Sequence, residues 1–305
     1  MTVYARGYRA FQGTKSARGL RFLPIFREAR RDAVRGVLLL VFRLVFILIP
    51  LVLIGFFLYF QSGALAATMR RMPGAGSLSE LETARRGLAT ALLLFHEWTG
   101  FWIVLLTLFV GAGLVADDLR TRALPLYLVR PITPFDYFLG KWLVPASVLA
   151  TYVLAPGLLL VLLAASMRPS GETLDFLLDR RDVVVALVVH YAVLAVGYTS
   201  LVLLVSTLAK RRLTAIVVGA LVFLGGTLVA TTASGVAGPL GDAARAASLY
   251  ADTQRVLRDG LGETLPYGQA LQLPSTAAAF FVPGALLVAC AVAVLRRART
   301  SEVVA

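Results

Sequence analysis

VVVALVVHYAVLAVGYTSLVLLVSTL, residues 183–208, is a run of 26 residues without a formal charge. Wound as an α-helix at about 1.5 Å per residue, it reaches roughly 39 Å, enough to cross a hydrocarbon core about 30 Å thick. A second run, VLLLVFRLVFILIPLVLIGFFLYF (37–60), is interrupted only by Arg43. The composition of the whole chain agrees. Of its 305 residues, 58% are hydrophobic and 15% charged, with a mean hydropathy of +0.80. That is roughly ten points more apolar and ten points less charged than an ordinary soluble domain. A soluble globular fold is excluded.

Apolar runs bounded by charge or turn residues give six helical spans: 37–60, 98–116, 142–167, 183–208, 213–234 and 277–295. The expected fold is an all-α polytopic membrane protein, with a segment 1–36, a membrane domain 37–295 and a tail 296–305. The second span is open at its start. Ser79-x-x-Glu82 resembles a capping box, and Leu81, Ala84, Leu88 and Leu92 keep helical spacing, so the helix begins earlier or breaks near Gly100. The longest polar segment, 235–276, has 42 residues, short of the roughly 50 of a folded domain. Any catalytic module is therefore expected on another polypeptide. A cleavable signal peptide is not expected, because 36 largely polar residues precede the first run.

The formal charge of +13 is unevenly spread. Segments 1–36, 117–141, 209–212 and 296–305 hold 19 Lys and Arg against six carboxylates. Segments 61–97, 168–182 and 235–276 hold 10 against 11. The positive-inside tendency then puts both termini in the cytoplasm, as expected of a multi-pass protein of a plasma membrane such as the bacterial inner membrane. The basic excess is a topology signal and a match to anionic lipid, not a nucleic-acid footprint.

The spans hold little chemistry. None of the 17 carboxylates falls inside one, which weighs against an ion-coupled transporter. Arg43 can snorkel to the headgroups. His190, beside Tyr191 and with Tyr198 further along, either makes a helix-packing hydrogen bond or lines a substrate path. Cys290 is alone, so no disulfide or cysteine metal site exists. His96-Glu97-Trp98-Thr99-Gly100 lacks the second histidine of a zincin helix. Gly111-x-Gly113-x-x-Ala116 lies at the end of an apolar span, where close helix packing explains it better than dinucleotide binding. Gly140-Lys141 has no upstream P-loop glycine, so the chain carries no ATPase site and no cofactor or metal of its own.

The informative stretch is GAGLVADDLRTRALPLYLVRPITPFDYFLGKWL (111–143). An acidic pair closes the second span, and Leu119, Ala123 and Tyr127 recur at four-residue spacing with Arg120 and Arg122 to the side. Pro125 interrupts that face, so a short bent helix is expected, ended by Pro131 and Pro134. Upstream, FLPIFREARRDAVRG (22–36) places Phe22, Phe26, Ala29 and Ala33 on one face and Arg27, Arg30, Arg31 and Arg35 elsewhere, an in-plane amphipathic helix. Lys210-Arg211-Arg212 makes a tight turn that reads as topogenic charge rather than a second, minor contact with a partner. In the last outer loop, Ala243, Ala247, Tyr250, Gln254, Leu257 and Leu261 suggest a further amphipathic helix.

This order of elements resembles the type-2 ABC exporter permeases. Their second membrane helix ends in an acidic residue, followed by a Leu-rich coupling segment, a Pro-Ile or Pro-Val step, and a Gly-Lys entering the third helix. The matching residues are Asp117 or Asp118, Leu124, Leu126, Leu128, Pro131-Ile132 and Gly140-Lys141. The common Gly-Thr before the leucines is Arg122-Ala123 here, and a basic residue after the Pro step is replaced by Thr133-Pro134-Phe135-Asp136.

The resemblance implies a six-span permease subunit of an ATP-driven exporter, paired with a second copy or a homologue. It also implies a separate ABC ATPase that binds the ATP and Mg. Asp117, Asp118, Arg120, Arg122, Leu124, Leu126, Tyr127, Leu128, Arg130, Pro131, Gly140 and Lys141 become the ATPase-coupling candidates. Phe22, Phe26, Arg27, Arg30 and Arg31 form the elbow helix, for which a plain lipid-binding anchor is the lesser alternative. The outer helix becomes an external gate or a helix resting on the bilayer. A rival from another class is a non-transporting membrane anchor for a partner complex.

Overall fold

The computed structural model describes residues 21–35, 41–42, 44–60, 80–123, 132–167, 172–209, 211–262 and 275–302. All regular structure among them is helical. Five helices are long and apolar enough to cross a membrane, and a shorter apolar helix covers Leu44–Tyr59. The protein is a polytopic helical membrane protein.

In chain order, α1 is Phe22–Val34, and α2 is Ile49–Phe60, preceded by a wide turn at Leu44–Leu48. The second span is α3 (Glu80–Gly111) continued by α4 (Gly113–Arg120). The third is α5 (Pro134–Leu149), a π-helical turn at Ala150–Leu154, and α6 (Ala155–Ser166). Short α7 (Thr173–Asp179) leads into α8 (Arg181–Leu208), then α9 (Arg212–Thr232). The outer segment folds as α10 (Pro239–Arg245) and α11 (Leu249–Leu261), and α12 runs over Thr276–Glu302.

Helix α8 is the hub, packing on α12, α11, α3, α4, α5 and α9. Its unbroken apolar run explains why: Leu194, Leu203, Val202 and Tyr198 are all buried. Helix α9 is the contrast, presenting Leu213, Val217, Leu221, Leu224 and Leu228 outward. Such residues are at home against lipid tails or a neighbouring membrane helix.

Two boundaries differ from the sequence expectation. The second span starts at Glu80, where its helical spacing begins, and Gly100 does not break it. The interruption falls instead at Ala112. Gly100 serves a different need, since a Cβ there would collide with the Tyr250 ring.

The third span starts at Pro134, eight residues before the apolar run. Thr133 caps it: its hydroxyl accepts from the Asp136 amide, and the Asp136 carboxylate accepts from the Thr133 amide at 3.0 Å. With Pro134 in the first turn, this is a complete start signal placed in what reads as loop.

The amphipathic helix at 22–36 is present as α1. Phe22, Phe26, Ala29 and Ala33 are half-buried, Arg27, Arg30, Arg31 and Arg35 are exposed, and Ile25 is the most buried. The outer amphipathic stripe is split. Gln254, Leu257 and Leu261 are buried along α11, but Ala243 and Ala247 are exposed. Ser248 begins a new helix there by accepting from the Ala251 amide. Helix α11 packs between α8, α12 and α3, so it is part of the bundle.

Helix α4 ends sooner than the Leu119, Ala123, Tyr127 spacing suggests. The Ala123 amide bonds the Asp118 carbonyl at 2.9 Å and the Arg122 amide bonds the Leu119 carbonyl at 3.4 Å. This is a Schellman ending with Arg122 in the left-handed position, φ 54°. Glycine is the residue that position favours, and glycine is what the resembling permeases carry there. Leu124, Leu126, Tyr127, Leu128, Arg130 and Pro131, like Arg43, lie outside the described residues. Arg122→Gly should relieve about 1 kcal/mol of backbone strain and raise the melting temperature in detergent. Arg122→Val should lower it, and equal melting of all three proteins would contradict the strained ending.

Candidate functional site

The coupling candidates that are described meet at one end of the bundle. Asp118, in the last turns of α4, faces the start of α5. Its Oδ2 lies 2.7 Å from Lys141 Nζ and accepts from the Tyr137 hydroxyl at 2.8 Å. Lys141 is 4% exposed and Tyr137 1%, with the ammonium over the phenol ring at 5.6 Å. Tyr137 and Lys141 sit one turn apart on α5, so both reach the same carboxylate oxygen. A buried ion pair supported by a second hydrogen bond is costly to break from one side. This one joins the two helices that flank the 121–133 connection.

Asp117 does different work. Its contact with Arg120 is 3.7 Å and exposed, worth about 0–1 kcal/mol. Its carbonyl accepts from the Thr121 amide and hydroxyl, closing the helix end.

Gly140 explains why a glycine precedes the lysine. A Cβ there would press on the Ile25 side chain and the Phe22 carbonyl at 3.0 Å. Helix α1 thus lies directly on α5. Gly140 admits α1, and Lys141 holds α4. Beneath α1 a cavity of about 400 Å³ opens, bordered by Ala29, Asp32, Leu106, Gly113, Asp117 and Arg212.

The remaining candidates gather at the other end, under α11. The Thr253 carbonyl lies 3.0 Å from His190 Nδ1 and can only accept, so that nitrogen carries a proton. In a neutral ring, Nε2 then accepts from Nδ1 of His96, 3.2 Å away. The His96 ring lies parallel to Tyr250 at 5.8 Å, and Glu97 bonds Arg258 at 3.0 Å. The histidines therefore tie α3 and α8 to α11, the helix-packing role considered for His190. Tyr191 donates to the Ala146 carbonyl at 2.8 Å, and Tyr198 is buried edge-on to Phe223. Sequence reasoning missed His96 as the partner and Asp252 altogether.

Among the described residues no group of three or more His, Cys, Asp or Glu could hold a metal ion. The geometry is that of a mechanical element: one helix end clamped to the next, with small residues admitting close neighbours. A family model described as ABC-2 family transporter protein matches residues 23–300.

The chain belongs to the ABC-2 transporter family. No match was found among the curated proteins. In this ABC-2 permease the motif that looked like a recognition pattern is thus a set of contacts, Asp118 to Lys141 and Gly140 to α1.

Two predictions follow from the two ends. Lys141→Met leaves Asp118 buried without its cation and should cost about 3 kcal/mol. Asp118→Asn paired with Lys141→Met should recover much of that loss in a melting assay. A double variant no better than the single one would remove the clamp from the account.

Asp252, on α11 and outside the five long apolar helices, is fully buried with neither carboxylate oxygen bonded. Burial raises its pKa to about 8. The sign is that of a raised acid. Docking of α11 is favoured fully below the ordinary carboxyl range, near 4, and loses that help as pH rises to about 8. Melting temperature should fall from pH 5 to 8, and Asp252→Asn should flatten the profile. An unchanged profile in the variant would exclude Asp252 as the titrating group.

Proposed function

We propose that this ABC-2 permease is the membrane subunit of an ATP-driven exporter, working as a pair with a second copy or a homologue. Membrane subunits of the family work with ABC ATPase subunits. In this reading both termini, α1, α4 and the 121–133 connection face the cytoplasm, and Leu44–Tyr59 belongs to a sixth span covering 37–60. Residues 117–130 form the coupling segment, and the part of it beyond the Asp118 pair inserts into a cleft on the ATPase. Helix α1 flanks that contact, and α11 closes the opposite, external side. His190, Tyr191 and Tyr198, on the α11 side of the bundle, are the residues of this reading's substrate path.

The observation that carries the reading is the Asp118–Lys141–Tyr137 cluster. A loop that only spanned two helices would need no buried pair between its ends. With that pair, a displacement applied to the connection passes into α3 through α4 and into α5 together. Helix α1 moves with them, because it rests on Gly140. The energy that switches the permease comes from ATP binding to the partner, which must bind the two permease conformations with different affinity.

Leu124, Leu126 and Leu128 supply the apolar surface of the inserted segment. Leu124→Asp or Leu128→Asp would place a carboxylate without a partner in the cleft, weakening the complex by several kcal/mol. Arg211→Ala, at the shorter turn, should change binding by less than about 1 kcal/mol. The measurement is copurification of the ATPase from the native host at matched membrane expression. Undiminished ATPase with both leucine variants would show that 117–130 is not the coupling element.

A further inference from the structure

The cavity beneath α1 combines surfaces that the α4–α5 contact does not use. It opens between α1, Phe42 of the first span, α3, α4 and the first residue of α9. Phe42, Leu106 and Phe109 give it an apolar wall, while Asp32, Asp117 and Arg212 give it charged edges. Asp118 and Lys141 also border it, but they are paired with each other. The other charges are of both signs and close together. A Cβ on Gly113 would lie 2.6 Å from Asp117 Oδ2 and 3.1 Å from Arg212 Cδ, so acid and base lean on the same bare stretch of α4. They do not satisfy one another. Arg212 donates one N–H to the Phe109 carbonyl at 2.9 Å, and Asp117 has only its long, exposed contact with Arg120. Among the described residues, most of the guanidinium donors and Asp117 Oδ2 stay open to a ligand.

At about 400 Å³ the cavity has the size of a small-ligand site. Its position narrows the class of ligand. Helix α1 is amphipathic, turns its arginines outward and lies at one end of a membrane bundle, where such helices sit at the level of the lipid headgroups. Phe109 is exposed at the cavity's edge, and Val41 and Leu44, on either side of Phe42 in the chain, are exposed as well. The apolar wall therefore runs out onto the apolar surface of the bundle. A molecule seated here meets both signs of charge at one end and hydrocarbon at the other. An anionic headgroup would suit Arg212 but face Asp32 and Asp117 with like charge. A lipophilic cation would suit the carboxylates and oppose Arg212. A phosphodiester followed two carbons later by a primary ammonium suits all three, and that ammonium offers three N–H donors.

We propose that this cavity binds the headgroup of an aminophospholipid, with Arg212 on the phosphate and Asp32 and Asp117 on the ammonium. The acyl chains leave past Phe42 and Phe109. The site does not depend on the exporter reading, because neither an ATPase nor a transported cargo takes part in it. It also runs against the rest of the surface. The chain carries a formal charge of +13, so attraction by charge alone favours anionic lipid. Preference for a zwitterion over an anion is therefore the signature of the site. Arg212→Gln removes a charge-assisted hydrogen bond to the phosphate and should weaken retention about tenfold. Arg212→Lys keeps the cation and should recover most of that loss. Asp32→Asn combined with Asp117→Asn should erase the preference for the ammonium-bearing lipid over the anionic one.

The test purifies the full chain in detergent, with whatever ATPase it retains. Equal amounts of phosphatidylethanolamine, phosphatidylcholine and phosphatidylglycerol with identical acyl chains are added, and retained lipid is identified by native mass spectrometry. The expected result is phosphatidylethanolamine held about tenfold over either competitor, lost in Arg212→Gln and regained in Arg212→Lys. That recovery separates loss of the site from loss of the fold. Phosphatidylglycerol retained equally or better by the wild-type chain would reduce the site to surface charge and overturn the proposal. Undiminished phosphatidylethanolamine in both Arg212→Gln and the double asparagine variant would place the lipid elsewhere, with the same consequence. Tetraphenylphosphonium is the last probe. If it displaces the lipid and still binds Arg212→Gln, the cavity takes lipophilic cations and the aminophospholipid assignment fails.

Discussion

A lysine in a nearly dry site, paired with a carboxylate and lying over a phenol ring, organises this end of the protein. Lys141 has lost its hydration, and the Asp118 oxygen at 2.7 Å replaces part of it. Tyr137 supplies the third hydrogen-bonding group and its ring covers the ammonium. The arrangement constrains everything around it. Helix α4 must end close to the start of α5. The neighbouring Gly140 must stay bare so that α1 can lie across α5. The Thr133 cap begins α5 early enough that Tyr137 and Lys141, four residues apart, both lie in the helix and share a face.

The two ends of the bundle are built on different principles. At the α4 end the buried pair is charged and directional, and beyond it the regular α-helix gives way at Ala112 in the second span and at the π-helical turn Ala150–Leu154 in the third. At the α11 end the contacts are polar and several: His190 with the Thr253 carbonyl, His96 with His190, and Glu97 with Arg258. Close approach there is set by Gly100 against Tyr250 and Gly197 against Leu249. The hub helix α8 touches both ends, through Ser206 at one and His190 at the other. In the exporter reading, movement at one end and locking at the other are connected through that single helix.

Much of this was legible in the sequence, and the exceptions share a cause. The run at 183–208 matches α8, Arg181–Leu208, because a long uncharged stretch in lipid has few alternatives to a helix. The amphipathic pattern at 22–36 likewise appears as α1. The third span begins before its apolar run because Asp136 and Lys141 lie inside the helix, and Thr133, Pro134 and Asp136 spell its start. What could not be read is non-local. Ser206 acts on Ala112, and His190 on His96, across 94 residues in each case. Nothing near Gly111-x-Gly113 says whether it packs or breaks, since that depends on which side chain α8 presents. Arg122 is a related lesson: the left-handed φ is set by the helix ending and tolerated in spite of the residue.

The central claim is that the two sides of the 121–133 connection move as one body. Spin labels at Arg120 and Phe135, both exposed, report on it in the permease reconstituted with its ATPase, with and without ATP and vanadate. The account expects the Arg120–Phe135 distance to stay fixed while the distance from either label to Leu208 changes. Separation of Arg120 from Phe135 on nucleotide binding would contradict it.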